Sequence, residues 1–230
     1  MQPVLIFGAG GLGQLVRETL RQAGGYEPVG FCDSEPRLAG RVVDGVPVLG
    51  GWDAAVAAHQ RGVRHAVVAV GFPPERVELA EQLAAFGFEL ISAIHPLATI
   101  APSARVGQHV LIGPRVTICV HAEIGAHCIV SAGSIVEHDN RLGVAAFLHP
   151  AVRLAGGVSV GEYATLGIGS CVIPGRSVGA HAHVAPGAVV IRNVPESGRV
   201  VGAPAVEVTP ETRFAPSSRG VWQAAESALA

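Results

Sequence analysis

A six-residue period in the second half of the chain limits its fold more than any other feature. Every sixth position from Ile94 to Val190 is isoleucine, leucine or valine, which makes seventeen aliphatic residues in seventeen positions without a change of phase. Neither an α-helix nor an alternating strand repeats every six residues. This period is typical of a parallel β-helix, in which short strands and tight corners wind into a solenoid. An unrelated all-β domain would lose phase within a few repeats, so we predict a parallel β-helix.

The repeat also predicts how each coil is built. Side chains alternate along a strand, so two of every six residues point inward, one large and aliphatic and the other small. The small positions lie four residues after the aliphatic ones, as at Ala98, Cys128 and Ser134. Glycines recur one residue after the aliphatic positions, and we expect them to form corners because glycine tolerates a positive φ. Gly107 and Gly125 lie eighteen residues apart, which predicts three-sided coils, about five in number.

The first part of the chain has a different pattern, in which short apolar strands alternate with amphipathic helical stretches. This alternation predicts a small parallel α/β sheet, a Rossmann-like domain. We place this domain at residues 1–93, the β-helix at 94–206 and a tail at 207–230, where GVWQAAESALA predicts a short helix. Because exposed sheet edges promote aggregation, we expect the α/β domain to cover the first coil and the terminal segment to cover the last.

A glycine-rich turn follows the first predicted strand. Gly8, Gly10 and Gly13 match the pattern G-x-G-x-x-G, and Asp33 ends the second strand twenty residues later. Such a turn brings backbone N–H groups and a helix N-terminus to a phosphate, and a terminal acid binds a ribose hydroxyl. The domain has about half the length of a dinucleotide fold, so the pattern favours a mononucleotide. A tight turn that only packs the helix on the sheet is the alternative.

Charge and cysteine content exclude several classes of function. The chain has 230 residues, a formal net charge of −2 and no basic patch, so we expect neither nucleic acid nor a membrane as a partner. Its apolar runs are too short for a membrane span, and its beginning lacks the features of a signal peptide. The four cysteines show no paired metal spacing. We expect free thiols in a cytoplasmic protein.

One histidine stands out as a chemical group. Most histidines of the repeat region are expected to be solvated, because none occupies an inward position of the repeat. His138 differs because Glu137 and Asp139 flank it. A neighbouring carboxylate orients an imidazole and raises its basicity, as general-base catalysis requires.

Several motifs together resemble one bacterial family, the left-handed β-helix acyltransferases of the sialic acid O-acetyltransferase and nucleotide-sugar N-acetyltransferase type. The resemblance covers residues 1 to about 206. The motifs are GAGGLG at 8–13, GVPVLG at 45–50, VGFPPERVELA at 70–80, AIHP at 93–96, VEHD at 136–139 and VGAPA at 201–205, together with the hexapeptides.

The resemblance implies an acetyl-CoA-dependent transfer of acetyl to an amino group of a nucleotide-linked sugar, with no metal. It implies a left-handed coil, an exception to the right-handed crossover rule. It also implies a homotrimer with active sites at the subunit interfaces and acetyl-CoA in grooves between neighbouring β-helices. His138 corresponds to the catalytic base and Asp139 to its acidic partner.

Two sets of binding residues are implied by the same resemblance. The backbone N–H groups near Ala155 and Gly156 would meet the thioester carbonyl, and the pantetheine would run along the coils from Gly156 towards Gly187. The full set for acetyl-CoA is Ala155, Gly156, Gly187, Ala203 and Pro204. The set for the nucleotide sugar is Gly8, Gly10, Gly13, Asp33, Gly71, Arg76 and Ser131.

The chain departs from the family pattern at three positions near the reacting groups. Leu12 and Phe147 stand where the family commonly has histidine, and Ser131 stands where it often has asparagine. O-acetylation of a sugar therefore remains an alternative, as does a non-catalytic trimeric binding or scaffold protein. His109 and His127 lie one coil apart, so a zinc enzyme like the trimeric β-helix carbonic anhydrases is a further alternative.

Overall fold

An α/β domain forms from the apolar strands and amphipathic helices of the first part of the chain, in a computed structural model that describes residues 1–208. Its helices are α1 (Gly11–Ala23), α2 (Trp52–Gln60) and α3 (Pro73–Phe86), and a 3₁₀ turn spans Pro36–Leu38. Its strands are β1 (Gln2–Phe7), β2 (Tyr26–Cys32), β3 (Val42–Val43), β4 (Val46–Gly50), β5 (His65–Val68) and β6 (Glu89–Leu90).

The sheet of this domain has the order β3-β4-β2-β1-β5-β6, and only β3 runs antiparallel to its neighbour. Val16 and Leu20 of α1 cover one side, while Ala58 of α2 and Leu83 of α3 cover the other. The carboxyl ends of the parallel strands therefore meet at one edge, where ligands bind in open α/β sheets. The predicted small parallel sheet is confirmed, and the hairpin of β3 and β4 is an addition that the alternation of strands and helices did not predict.

The second part of the chain is a left-handed parallel β-helix, as predicted, with three flat faces made of strands of two or three residues. Face A consists of β7 (Ala93–Ile94), β10 (Leu111–Ile112), β13 (Ile129–Val130), β16 (Phe147–Leu148), β19 (Thr165–Leu166), β22 (His183–Val184) and β24 (Arg199–Val201). Face B consists of β8 (Thr99–Ile100), β11 (Thr117–Ile118), β14 (Ile135–Val136), β17 (Arg153–Leu154), β20 (Cys171–Val172) and β23 (Val189–Val190). Face C consists of β9 (Arg105–Val106), β12 (Glu123–Ile124), β15 (Arg141–Leu142), β18 (Ser159–Val160) and β21 (Ser177–Val178).

The interior of the prism follows the predicted alternation of large and small side chains. Leu148 and Leu166 are fully buried aliphatic residues, and Ala146 and Ala164 are the buried small residues of the same coils. Each buried leucine contributes roughly 1.5–3 kcal/mol through removal of apolar surface from water. The periodic core therefore holds the outer edges of the prism at fixed positions.

Corner geometry differs from the expectation for the glycines. Positive φ occurs two residues after the expected position, mostly at residues other than glycine, such as His127 (φ 60°), Asp139 (φ 58°) and Ala145 (φ 57°). Gly143 has no positive φ, and a Cβ built on it would lie 2.5 Å from the amide nitrogen of Glu162 in the next coil. The repeated glycines are required because consecutive coils approach closely there, not because they turn the chain.

The α/β domain packs against the side of the prism rather than across its open end. Leu111 and Ile129 point outward from face A and join the core that contains Val16 and Leu20 of α1. The inward residues of the first coil, such as Ile100, remain only partly buried. The expectation that this domain covers the first coil holds for the side of that coil, where Ala93 of β7 lies in the same core as α1, and does not hold for its open end.

At the other end, β25 (Val206–Glu207) pairs antiparallel with β24. The helix predicted in the tail lies outside the described residues. Within residues 1–208, no helix combines the length and the apolar character that crossing a bilayer requires.

Candidate functional site

The edge between faces B and C carries His138 and Asp139 directly after β14. The two side chains are 57% and 60% exposed, and Nδ1 of His138 lies 2.8 Å from Oδ2 of Asp139. The carboxylate accepts the Nδ1–H hydrogen bond, which leaves the lone pair of Nε2 available at the surface. An imidazole oriented in this way can take a proton from an attacking nucleophile.

The imidazole of His138 lies directly against the next coil. A Cβ built on Gly156 would lie 2.4 Å from Nε2 of His138, so any other residue at 156 would displace the ring from this position. The N–H of Ala155 donates to the carbonyl of Val172 (3.1 Å), whereas the N–H of Gly156 has no acceptor among the described residues. Of the two backbone donors implied by the family resemblance, only Gly156 is free to meet a thioester carbonyl.

Asn140 is a residue of this corner that sequence reasoning missed. It is 0% exposed inside the prism. Its Oδ1 accepts the N–H of Val158, and its Nδ2 donates to the carbonyl of Leu154 (3.5 Å). These bonds tie the corner of His138 to the coil of Gly156. The signal was an amide at an inward position that the repeat usually gives to a small or aliphatic residue.

The other residues implied for acetyl-CoA lie on a different edge of the prism. Gly187 (φ 68°) forms a corner between faces A and B, and exposed Ala203 and Pro204 follow β24 at the same edge. Face B separates this edge from Gly156, so the residues implied for acetyl-CoA are divided between two edges of one protomer. A groove between two protomers can still be lined by one edge from each.

The departures Ser131 and Phe147 lie on or beside face A. Ser131 directly follows β13 and is half-buried. The ring of Phe147 stacks on that of His149, with centroids 4.0 Å apart, and lies 5.8 Å from the guanidinium carbon of Arg76. Phe147 therefore belongs to the contact between the two parts of the chain, where a histidine would have introduced a polar group.

A pocket of about 320 Å³ opens at the carboxyl edge of the α/β sheet. Gly8, Gly10 and Asp33 line it, as the sequence predicts for a nucleotide site. Oδ2 of Asp33 accepts the N–H of Ala9 (2.8 Å), and Oδ1 accepts the N–H of Glu35 (2.9 Å). Asp33 thus holds the glycine turn open besides facing the pocket. The N-terminus of α1 has no side-chain cap and no acidic residue in its first turn, which suits a phosphate.

Gly13, Gly71 and Arg76 do not line this pocket. A Cβ on Gly13 would lie 1.9 Å from the carbonyl oxygen of Gly8, so Gly13 allows α1 to pack on the turn. The expectation that Arg76 binds substrate is corrected by its complete burial. Its guanidinium donates to the carbonyls of Val70 and Gly71 (both 2.9 Å).

Arg76 also donates to the β-helix, through the carbonyls of His127 (3.0 Å) and Ala145 (2.8 Å). Burial lowers the pKa of its guanidinium to about 10. Four hydrogen bonds to carbonyls of both domains make Arg76 a connection between the pocket at the carboxyl edge of the sheet and the prism, because Val70 lines that pocket.

Comparison with known proteins agrees with this architecture. A variant of GDP-perosamine N-acetyltransferase from Caulobacter crescentus, in complex with CoA and GDP-perosamine, is 40% identical to the chain; the match covers 91% of this chain and 98% of that one, with a TM-score of 0.86. The chain belongs to the hexapeptide-repeat acetyltransferases. The α/β part also matches the family model of the PglD N-terminal domain over residues 3–83.

Two further structures resemble this acetyltransferase. The acetyltransferase domain of PglB from Neisseria gonorrhoeae is 29% identical, with 90% of this chain and 100% of that chain covered and a TM-score of 0.81. WeeI from Acinetobacter baumannii is 21% identical, with 90% and 100% covered and a TM-score of 0.77. At 21% identity, WeeI supports the fold alone.

His109 and His127 connect the two parts of the acetyltransferase rather than facing solvent. Nε2 of His109 accepts the N–H of Val68 (2.9 Å), and its Nδ1 lies 2.8 Å from Nδ1 of His127. Burial, and then the charges of His127 and Arg76, lowers the pKa of His109 to about 3. His109 is 2% exposed, so the expectation of a solvated side chain is wrong here. Residues 1–208 contain no group of three or more His, Cys, Asp or Glu placed to hold a metal ion.

A larger groove of about 550 Å³ runs along face C of the acetyltransferase. Glu123 is its acidic group and forms ion pairs with Arg105 and Arg141, the latter at 3.7 Å. The rest of the lining is glycine, serine and aliphatic residues. The lining contains no histidine, and its one acid is ion-paired, so its serines have no base beside them and its size does not make it a catalytic site.

Proposed function

We propose that this acetyltransferase moves the acetyl group of acetyl-CoA to an amino group of a nucleotide-linked sugar, with His138 as the general base. The observation that carries the proposal is the imidazole of His138, oriented by Asp139 and lying on Gly156, whose N–H is free. The nucleotide pocket at the carboxyl edge of the α/β sheet supplies the place for the acceptor.

In the proposed reaction, the acceptor nitrogen attacks the carbonyl carbon of the thioester while Nε2 of His138 takes a proton from that nitrogen. The carboxylate of Asp139 stabilises the imidazolium that forms. The N–H of Gly156 donates to the carbonyl oxygen, on which negative charge develops. Collapse of the tetrahedral adduct breaks the C–S bond and leaves an amide. The proton on His138 then passes to the sulfur of the departing CoA.

The proposal includes a homotrimer with acetyl-CoA between neighbouring β-helices. His138 lies on the edge between faces B and C, opposite face A, on which the α/β domain packs. The nucleotide pocket and the imidazole of one protomer therefore lie on different sides of the prism. A closed ring of protomers brings the pocket of one subunit to the imidazole of a neighbour.

Other observations support the acceptor class and the location. The relative with 40% identity was solved with CoA and GDP-perosamine, which is a nucleotide-linked sugar. All four cysteines of the chain are free thiols, and acetyl-CoA is a cytoplasmic metabolite, so we place the enzyme in the cytoplasm. A hydroxyl acceptor would use the same base, so amino and hydroxyl sugars must be compared directly.

The test measures release of the CoA thiol from acetyl-CoA with nucleotide-linked amino sugars and their hydroxyl counterparts. We expect turnover with an amino sugar and a fall of about 10²–10⁴-fold in His138→Asn, with CoA binding and oligomeric state retained. His181→Asn is the matched control, because His181 is an exposed corner histidine on the edge between faces C and A. Turnover only with hydroxyl sugars would mean that the enzyme catalyses O-acetylation and not the proposed N-acetylation. Near-normal turnover of His138→Asn would refute the assigned base.

A further inference from the structure

One wall of the nucleotide pocket carries an acid without a partner. Glu75, Leu79 and Gln82 line the pocket. Their spacing of four and three residues places them on one face of α3. Glu75 makes no hydrogen bond or ion pair with any residue in the described part of the chain, 1–208. Its carboxylate is therefore free to accept hydrogen bonds from a ligand.

An aromatic surface lies on another wall of the same pocket. Trp52, the first residue of α2, lines the pocket and is 36% exposed. Its ring is held by Phe7 (centroids 6.3 Å apart) and by Phe86 (5.9 Å). A held indole with one accessible surface offers a stacking partner for a planar ring.

The two ends of the pocket differ in charge preference. Gly8 and Gly10 lead into the uncapped N-terminus of α1, which favours the phosphates of a nucleotide. The acid Glu75 repels phosphates, so the phosphates fit beside Gly8 and Gly10, and the nucleobase fits beside Glu75 and Trp52. The carboxylate of Asp33 already accepts two N–H groups and also lines the pocket, where it suits a ribose contact.

A carboxylate distinguishes the nucleobases by their hydrogen-bond donors. Guanine presents two adjacent donors, N1–H and the 2-amino group, which match the two oxygens of one carboxylate. Uracil presents a single N–H between two carbonyl oxygens, which a carboxylate repels. Adenine and cytosine each present an amino group beside a ring nitrogen lone pair. Only guanine offers a bidentate pair without a repulsive neighbour.

We propose that Glu75 reads guanine, so that the acceptor of this enzyme is a GDP-linked amino sugar. The inference rests on the proposed function, of which it names the substrate class. Glu75 acts as a specificity-determining residue in the nucleotide pocket and takes no part in the transfer of the acetyl group.

The test compares the binding of GDP, IDP, UDP and ADP to the wild-type enzyme and to Glu75→Gln by titration calorimetry. IDP lacks the 2-amino group of guanine and therefore isolates one of the two hydrogen bonds. We expect wild type to bind GDP about 10- to 100-fold more tightly than UDP or ADP, and about tenfold more tightly than IDP. In Glu75→Gln the GDP:IDP ratio should fall towards one. Glu81→Gln is the matched control, because it removes the same charge from α3 outside the pocket lining.

Each outcome decides between the two proposals. Tighter binding of UDP or ADP, or an unchanged GDP:IDP ratio in Glu75→Gln, overturns the assignment of guanine to Glu75. Acetyl transfer to a UDP-linked amino sugar would then leave the proposed function intact. Guanine selectivity together with absent acetyl transfer would instead uphold Glu75 and overturn the proposed function.

Discussion

His138 depends on Gly156, because the imidazole ring of His138 occupies the space that a side chain at position 156 would need. The distance of 2.4 Å between Nε2 of His138 and a Cβ built on Gly156 means that alanine fits only if the ring moves. In an alanine variant the flexible imidazole would have to move, because hydrogen bonds between consecutive coils fix the backbone of Gly156. Its carbonyl accepts the N–H of Gly175 at 3.0 Å.

We predict that Gly156→Ala lowers kcat by at least about tenfold with little change in stability, because a displaced base loses its alignment with the acceptor. Thiol release and thermal unfolding measure the two effects. Gly157→Ala is the reciprocal control: it meets no atom within 4 Å but must adopt a φ of 68°, a conformation that Ala145 and Ala151 already adopt. It should cost about 1 kcal/mol of stability and leave kcat nearly unchanged. Equal kcat values for the two variants would contradict the steric argument.

Secondary-structure elements show which parts of the molecule the sequence could predict. The six-residue period predicts three faces and the buried aliphatic column because both depend on local alternation. It does not reveal why glycines recur, since the close approach of Gly143 to Glu162 joins residues one coil apart. The convergence of Gly8, Gly10 and Asp33 on one pocket was predictable, because strand, turn and helix are adjacent in sequence there. The structural role of Arg76 was not predictable, because its carbonyl partners lie up to 69 residues away in the sequence.

The contact between the two parts of the chain depends on a neutral histidine. His109 accepts the N–H of Val68 only while Nε2 carries no proton. Burial, and then the charges of His127 and Arg76, lowers its pKa from 6.5 to about 3. The unfolded chain therefore binds this proton more tightly than the folded one. Stability falls as the pH decreases below about 6.5 and continues to fall towards pH 3.

We expect this histidine to contribute a slope of about 1.4 kcal/mol per pH unit within that window. Urea unfolding at fixed protein concentration between pH 6 and 4 measures it. In His109→Gln the slope should decrease by the amount that corresponds to about one bound proton. It should persist in the control His181→Gln, which changes an exposed histidine on the same edge, between faces C and A. The pKa values of His127, His149 and His183 are also lowered by burial, so some slope remains in the variant. Identical slopes in wild type and His109→Gln would rule out this explanation.

At the scale of the whole molecule, the pocket of the α/β domain and the side chain of His138 lie on different sides of the prism. The α/β domain is fixed to face A and to the edge between faces C and A by Arg76 and His109. His138 lies on the remaining edge, opposite face A. Because the buried hydrogen bonds resist a swing of the domain around the prism, one protomer does not bring its own pocket to its own base. This rigidity is the reason why we propose a composite site, with the pocket of one subunit beside His138 of a neighbour.

Mixed oligomers test that arrangement. We predict that His138→Asn and Asp33→Ala are each nearly inactive alone, the second through a raised KM for the acceptor and an unchanged KM for acetyl-CoA. Co-expression of differently tagged chains and purification through both tags yields mixed assemblies. When pocket and base come from neighbouring subunits of a trimer, about one third of the sites in such mixed trimers have an intact pocket and an intact base. Thiol release at subsaturating acceptor should then recover well above that of either parent. Mixed assemblies as inactive as their parents would mean that each protomer uses its own pocket and its own histidine.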